Sequence, residues 1–84
     1  MSEKLVGTIT HYYDKIKVAI VELTGTLKVG DEIHIIGHEI DFKQQVSSMQ
    51  IDHEQVTQAK KGDKIGLEVE QKVKEGCEVY LVSV

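Results

Sequence analysis

The stretch Leu27-Lys28-Val29-Gly30-Asp31-Glu32-Ile33-His34-Ile35-Ile36-Gly37 decides how the rest of the chain reads. A Gly-Asp pair closes a turn, and an apolar run of period two starts directly after it. The same cadence returns at Gly62-Asp63 before Ile65, Leu67 and Val69, and once more, altered, at Gly76-Cys77 before Val79 and Leu81. Glycine reaches positive φ without a Cβ clash, and aspartate can accept a hydrogen bond from a turn amide. Gly30, Asp31, Gly62, Asp63 and Gly76 are therefore read as structural turns that each launch a strand. Corners of one kind, repeated within 84 residues, predict a small closed antiparallel barrel of six or seven strands.

Working outward in both directions, Val6 to Tyr13 carries threonine, tyrosine and β-branched residues in alternation and reads as a first strand. Gly7 inside it predicts a bulge or a close backbone approach. Ile16 to Leu23 is apolar on both faces for part of its length, the pattern of a strand that crosses the interior. After Gly37-His38-Glu39 turns the chain, Asp41 to Ile51 reads as one long strand, its length and its Gln, Ser and Val content favouring that over a helix. Phe42 and Val46 are in phase, Met49 and Ile51 are not, so a bulge is expected near Ser47-Ser48. Asp52 to Lys61 is left open between one helical turn capped by Asp52 and a loop. Lys64 to Glu70 and Glu78 to Val84 complete the strands, and residues 1–84 are expected to form a single domain.

Composition narrows the function. Hydrophobic residues make up 40% and charged residues 29%, which fits a folded globular protein. A domain of this size buries about 60 to 65% of its unfolded surface, so the core is modest. No apolar run approaches the roughly 20 residues of a membrane helix, and Met1 to Leu5 lacks the basic-then-apolar order of a secretory signal, so a cytoplasmic address without membrane contact is expected. The net charge is -4 and arginine is absent. Phosphate binding draws on clustered basic residues, so only weak RNA contact is compatible with this chain.

The residues offer little catalytic chemistry. No Gly-x-x-x-x-Gly-Lys-Ser/Thr loop or Gly-x-Gly-x-x-Gly fingerprint is present, so no nucleotide or other cofactor is expected. Cys77 is the single cysteine, flanked by Glu75 and Glu78, and reads as a small turn residue rather than a nucleophile. His34 and His38 would approach one another on a helix, but on a strand and turn they diverge, and a metal set drawing in His11 and His53 is not expected. Among the aromatics Tyr12, Tyr13, Phe42 and Tyr80, the first three are candidates for a partner-binding surface, against the plainer reading that aromatics close the barrel ends.

The ordered set Gly25-x-Leu27-Lys28-Val29-Gly30-Asp31-Glu32-Ile33-x-Ile35-x-Gly37, Val46-x-Ser48-Met49-Gln50-Ile51 and Val56-x-x-Ala59-x-x-Gly62-Asp63-x-Ile65-Gly66-Leu67 resembles the second, β-barrel domain of translational GTPases such as elongation factor Tu and initiation factor two. It is similar also to stand-alone translation elongation factor-like proteins and to accessory barrels of some collagenase-like peptidases. The resemblance implies a translation-protein barrel without the nucleotide domain, a non-enzymatic module binding a protein or ribonucleoprotein; a monomer is expected. An accessory module for a separate enzyme, such as a collagenase-like peptidase or an RNA-modifying protein, is the alternative, and a small metal- or redox-dependent enzyme is a third. The pattern departs at Gly76-Cys77, where Gly-Asp is usual.

Overall fold

Gly30, Gly62 and Gly76 adopt φ of 97°, 94° and 92°, so all three expected corners are left-handed at glycine. Each is the third residue of a four-residue turn that opens with lysine. The amides of Asp31 and Asp63 donate to the carbonyls of Lys28 and Lys60 at 3.1 and 3.0 Å, and Cys77 to Lys74 at 3.3 Å. At the first two corners the aspartate side chain accepts the amide three residues back, Lys28 N–H at 3.0 Å and Lys60 N–H at 3.1 Å. Cys77 carries no such acceptor. Its thiol is buried instead, 3.5 Å from the carbonyl oxygen of Gly37.

The computed structural model describes residues 2–83; Met1 and Val84, the ends of the expected domain and of its last strand, lie outside them. Ten strands follow in order: β1 Ser2–Tyr13, β2 Val18–Leu23, β3 Leu27–Lys28, β4 Glu32–Gly37, β5 Ile40–Gln45, β6 Met49–Ile51, β7 Glu54–Val56, β8 Gln58–Ala59, β9 Lys64–Glu68 and β10 Glu78–Ser83. Eight form one antiparallel sheet in the order β5-β4-β10-β1-β2-β9-β6-β7, and β3 pairs separately with β8. The all-β antiparallel reading therefore stands. The closed barrel does not: the sheet is open, with β5 and β7 at its edges.

The opening has a local cause. The stretch expected as one bulged strand, Asp41 to Ile51, divides into β5 on β4 and β6 on β9. Val46, Ser47 and Ser48 between them belong to no strand, so the ladder stops there. The phase change between Val46 and Met49, both buried, is made by leaving the sheet rather than by a bulge within it. Two contacts hold the gap instead. Val46 exchanges backbone bonds with Asp31 and Gly30, both at 2.8 Å. Gln44, the buried polar residue of the core, donates its amide to Glu68 O at 3.0 Å and accepts Glu70 N–H at 2.8 Å.

One further expectation holds and another changes. Along β1, Val6 and Ile9 are both buried although three apart, because the register shifts between Leu5 and Gly7 and again between Ile9 and His11. Gly7 marks the first shift, and a Cβ there would lie 2.5 Å from Val21 Cγ1. Asp52 to Lys61 is neither helix nor plain loop. Asp52 and His53, at φ 51° and 67°, form a two-residue connection between β6 and β7, and Gln58–Ala59 then pairs with β3. Positive φ at both central residues is the mark of a type I′ hairpin turn.

The core lies on the inner face of this curled sheet. Ile9, Val21, Leu23, Leu27, Ile33, Ile35, Met49, Ile65 and Leu67 fill it, and Cys77 and Val79 join from the last corner.

Candidate binding groove

Strand β2 decides where the exposed apolar surface lies. Ala19 and Val21 face the core and are fully buried, so the period of two turns Val18 and Ile20 outward. On that outer face Tyr13 pairs with Val18, and Ile20 pairs with Gly66 of β9, which in turn pairs with Gln50 of β6. Gly66 has no side chain to fill the space between its neighbours, and a Cβ there would meet Val18 Cγ1 at 3.3 Å and Ile20 Cδ1 at 3.9 Å. The sheet face is hollowed at this point into an open groove of about 440 Å³. Tyr13 and Ile16, 48% and 65% exposed, stand on its walls, and Asp52, His53 and Lys64 lie on its rim.

Tyr13 is held from behind. Its ring packs edge-on against His11, with centroids 4.4 Å apart and planes at 62°. His11 Nδ1 lies 3.0 Å from Glu75 Oε2, on the turn that ends in Gly76-Cys77. This links the third corner to the groove wall, and it positions an aromatic side chain before any partner arrives.

A second cluster lies on the other half of the outer surface. His34 Nδ1 is 2.9 Å from Glu3 Oε1, and Nε2 contacts Asp41 Oδ1. With a carboxylate at each ring nitrogen the imidazolium can donate twice. The hydrogen bond to Asp41, followed by that to Glu3, raises the His34 pKa above its ordinary 6.5. Lys43 Nζ lies 4.0 Å from Glu3. His38 is exposed in the β4–β5 turn, where its Nε2 would be 2.9 Å from a Cβ on Gly76. Among the described residues no group of three metal-ligating side chains is placed to hold an ion. Tyr80 O–H donates to Glu78 at 3.4 Å, and the Glu78 carboxylate pushes the Tyr80 pKa up.

The three aromatics offered as a partner-binding surface sit in different surroundings. Tyr12 and Phe42 are half-buried and pack against the core, Tyr12 at the end of β1 and Phe42 on β5. Tyr13 alone lies in the groove. Its companions there, Ile16, Val18, Ile20 and Gly66, were not singled out from the sequence as a surface, although the two-faced apolar pattern of β2 was the signal. A smaller hollow of about 370 Å³, lined by Val29, Ser47, Ser48 and Met49 among others, opens at the ladder gap.

No family model matches the chain. It is 42% identical over 78 residues to an uncharacterized protease of Methanocaldococcus jannaschii, a match that covers 92% of this chain and 19% of that protein. The chain thus spans about a fifth of the length of that relative. The fold superposes on the C-terminal domain of a Geobacillus thermoleovorans protein named as a candidate U32 peptidase. One structure of that domain gives a TM-score of 0.89 at 17% identity, covering 95% of this chain and 93% of that one. Its selenomethionine variant gives 0.86 at 18%, covering 90% and 96%. These relatives correct the reading toward translational GTPases and translation elongation factors. The fold likeness is to a peptidase C-terminal domain. Among the described residues no helix is long and apolar enough to cross a membrane.

Proposed function

We propose that this chain is a non-catalytic accessory domain that serves a peptidase, whose catalytic body resides on the same or a separate polypeptide. The observation that carries the proposal is the 42% identity over nearly the whole chain to one-fifth of a protease. The fold likeness to a peptidase C-terminal domain supports it, since a segment that is a terminal module there has the same architecture here. The side-chain chemistry is in keeping with it. Cys77, the single cysteine, is buried at the core, His11 and His34 are engaged by carboxylates, and His38 and His53 are exposed on separate turns. A nucleophile beside a free histidine is what hydrolysis would draw on.

Proteolysis assays on denatured casein test the proposal in two parts. The purified chain alone is expected to release no peptides. The M. jannaschii protein is expected to lose or change its activity toward protein substrates when the matching segment is deleted. Hydrolysis by the chain alone, or an unchanged truncated enzyme, overturns the accessory role.

A further inference from the structure

The apolar outer face of β2 is uncovered in this chain. A strand apolar on both faces is normally buried on both. Here Ala19 and Val21 are buried by the core, while Val18 and Ile20 line an open groove beside the exposed Tyr13 and Ile16. Large apolar side chains gathered on one concave surface mark an interaction site. We infer that this groove, walled by Tyr13, Ile16, Val18 and Ile20 and floored by Gly66, is where the domain seats the catalytic body of the peptidase. The inference rests on the accessory role proposed above and assigns that role a surface.

Two observations select a protein surface as the occupant. The protease relative is about five times longer than the matched segment, so in that protein some four-fifths of the chain lies outside the segment and is available as a partner surface. The groove is open along the sheet face, and its polar groups, Asp52, His53, Lys64 and Gln50, stand around apolar walls. An apolar side chain projecting from a protein surface, flanked by charges that match Asp52 and Lys64, fits this arrangement. The Glu75–His11–Tyr13 contacts fix the aromatic wall in advance, which lowers the ordering cost of association.

Hydroxyl-radical footprinting tests the assignment. The probe pair is the 84-residue chain alone and a chimera in which it replaces the matching segment of the M. jannaschii protein. Oxidation of Tyr13 and Ile16 is expected to fall at least fivefold in the chimera, while Leu5 and Val29, comparably exposed elsewhere, keep their labelling. Ile16→Lys, in the turn before β2 and outside the ladder, is expected to restore Tyr13 labelling in the chimera and to leave the fold of the isolated chain intact. Protection of Leu5 or Val29 in place of the groove residues overturns the groove and leaves the accessory role standing. Labelling unchanged everywhere overturns docking altogether, and Tyr13 protection that survives Ile16→Lys overturns the groove.

Discussion

Gln44 and Glu70 join the two sides of the gap in the sheet: the Gln44 side-chain oxygen accepts the Glu70 amide at 2.8 Å, while its nitrogen donates to Glu68 O at 3.0 Å. The backbone ladder stops at Val46 to Ser48, so a side chain does there what strand pairing does elsewhere. Gln44 is 5% exposed, and an unmade hydrogen bond at such a site costs about 1 to 3 kcal/mol. Gln44→Ala is expected to lower stability by about 2 kcal/mol in urea unfolding. Gln44→Glu should cost at least as much, because a carboxylate cannot donate to the Glu68 carbonyl. A loss below about 0.5 kcal/mol for both would mean that the seam is held by Val46 alone.

The Gly-Asp corners separate backbone strain from crowding. Gly30 and Gly62 have φ of 97° and 94°, and no atom lies within 4 Å of where a Cβ would sit. Substitution there is opposed by conformation only. Gly30→Ala is expected to cost about 1 kcal/mol, and D-alanine, introduced by chemical synthesis, should recover it. Gly7 behaves oppositely, since a Cβ would strike Val21 Cγ1 at 2.5 Å with no positive φ involved. Chemical denaturation of Gly30→Ala, its D-alanine counterpart and Gly7→Ala checks the contrast, and a destabilising D-alanine at Gly30 would refute the turn geometry.

His34 gives the fold a pH dependence of known sign. Its folded-state pKa is raised by Asp41 and Glu3, so the protonated form is the one the fold favours. Its contribution is fully present below the unfolded value of about 6.5, provided the carboxylates stay ionised, and it is lost as pH rises through the higher folded value. Stability of the parent relative to His34→Gln should therefore be greater at pH 5.5 than at pH 8.5. Imidazole resonances followed by NMR give the titration directly. A midpoint at or below 6.5 would contradict the two-carboxylate contact.

Particular residues show which parts of this architecture could be read from the sequence. Gly30-Asp31 and Gly62-Asp63 were legible because a positive φ and an Asx acceptor are local requirements, met within four residues. Gly7 was legible as a bulge because a glycine inside a strand pattern marks a bulge or a close backbone approach. The Asp52-His53 hairpin was not, because type I′ turns are normally announced by Asn-Gly or Asp-Gly, and here tertiary pairing holds non-glycine residues at φ 51° and 67°. Closure failed for a nonlocal reason: the phase slip after Val46 is equally compatible with a bulge inside a strand and with an exit from the sheet. The groove was half visible. Period two at Val18 to Leu23 reports that both faces of β2 are apolar, but it cannot say which face the rest of the chain covers.

The link from Glu75 through His11 to Tyr13 predicts a change in order without a change in stability. His11 and Glu75 side chains are 49% and 63% exposed, and surface pairs of this kind contribute little to folding, about 0 to 1 kcal/mol. Glu75→Ala is therefore expected to leave the unfolding midpoint close to that of the parent. What it removes is the contact that orients the His11 ring against Tyr13. Cross-peaks between the two rings in NOE spectra should weaken, and the Tyr13 ring should sample more rotamers. Full-strength cross-peaks in Glu75→Ala would show that the strand itself, not the turn carboxylate, sets the aromatic wall. A large drop in midpoint would instead mean that the Lys74–Cys77 corner depends on this contact to fold.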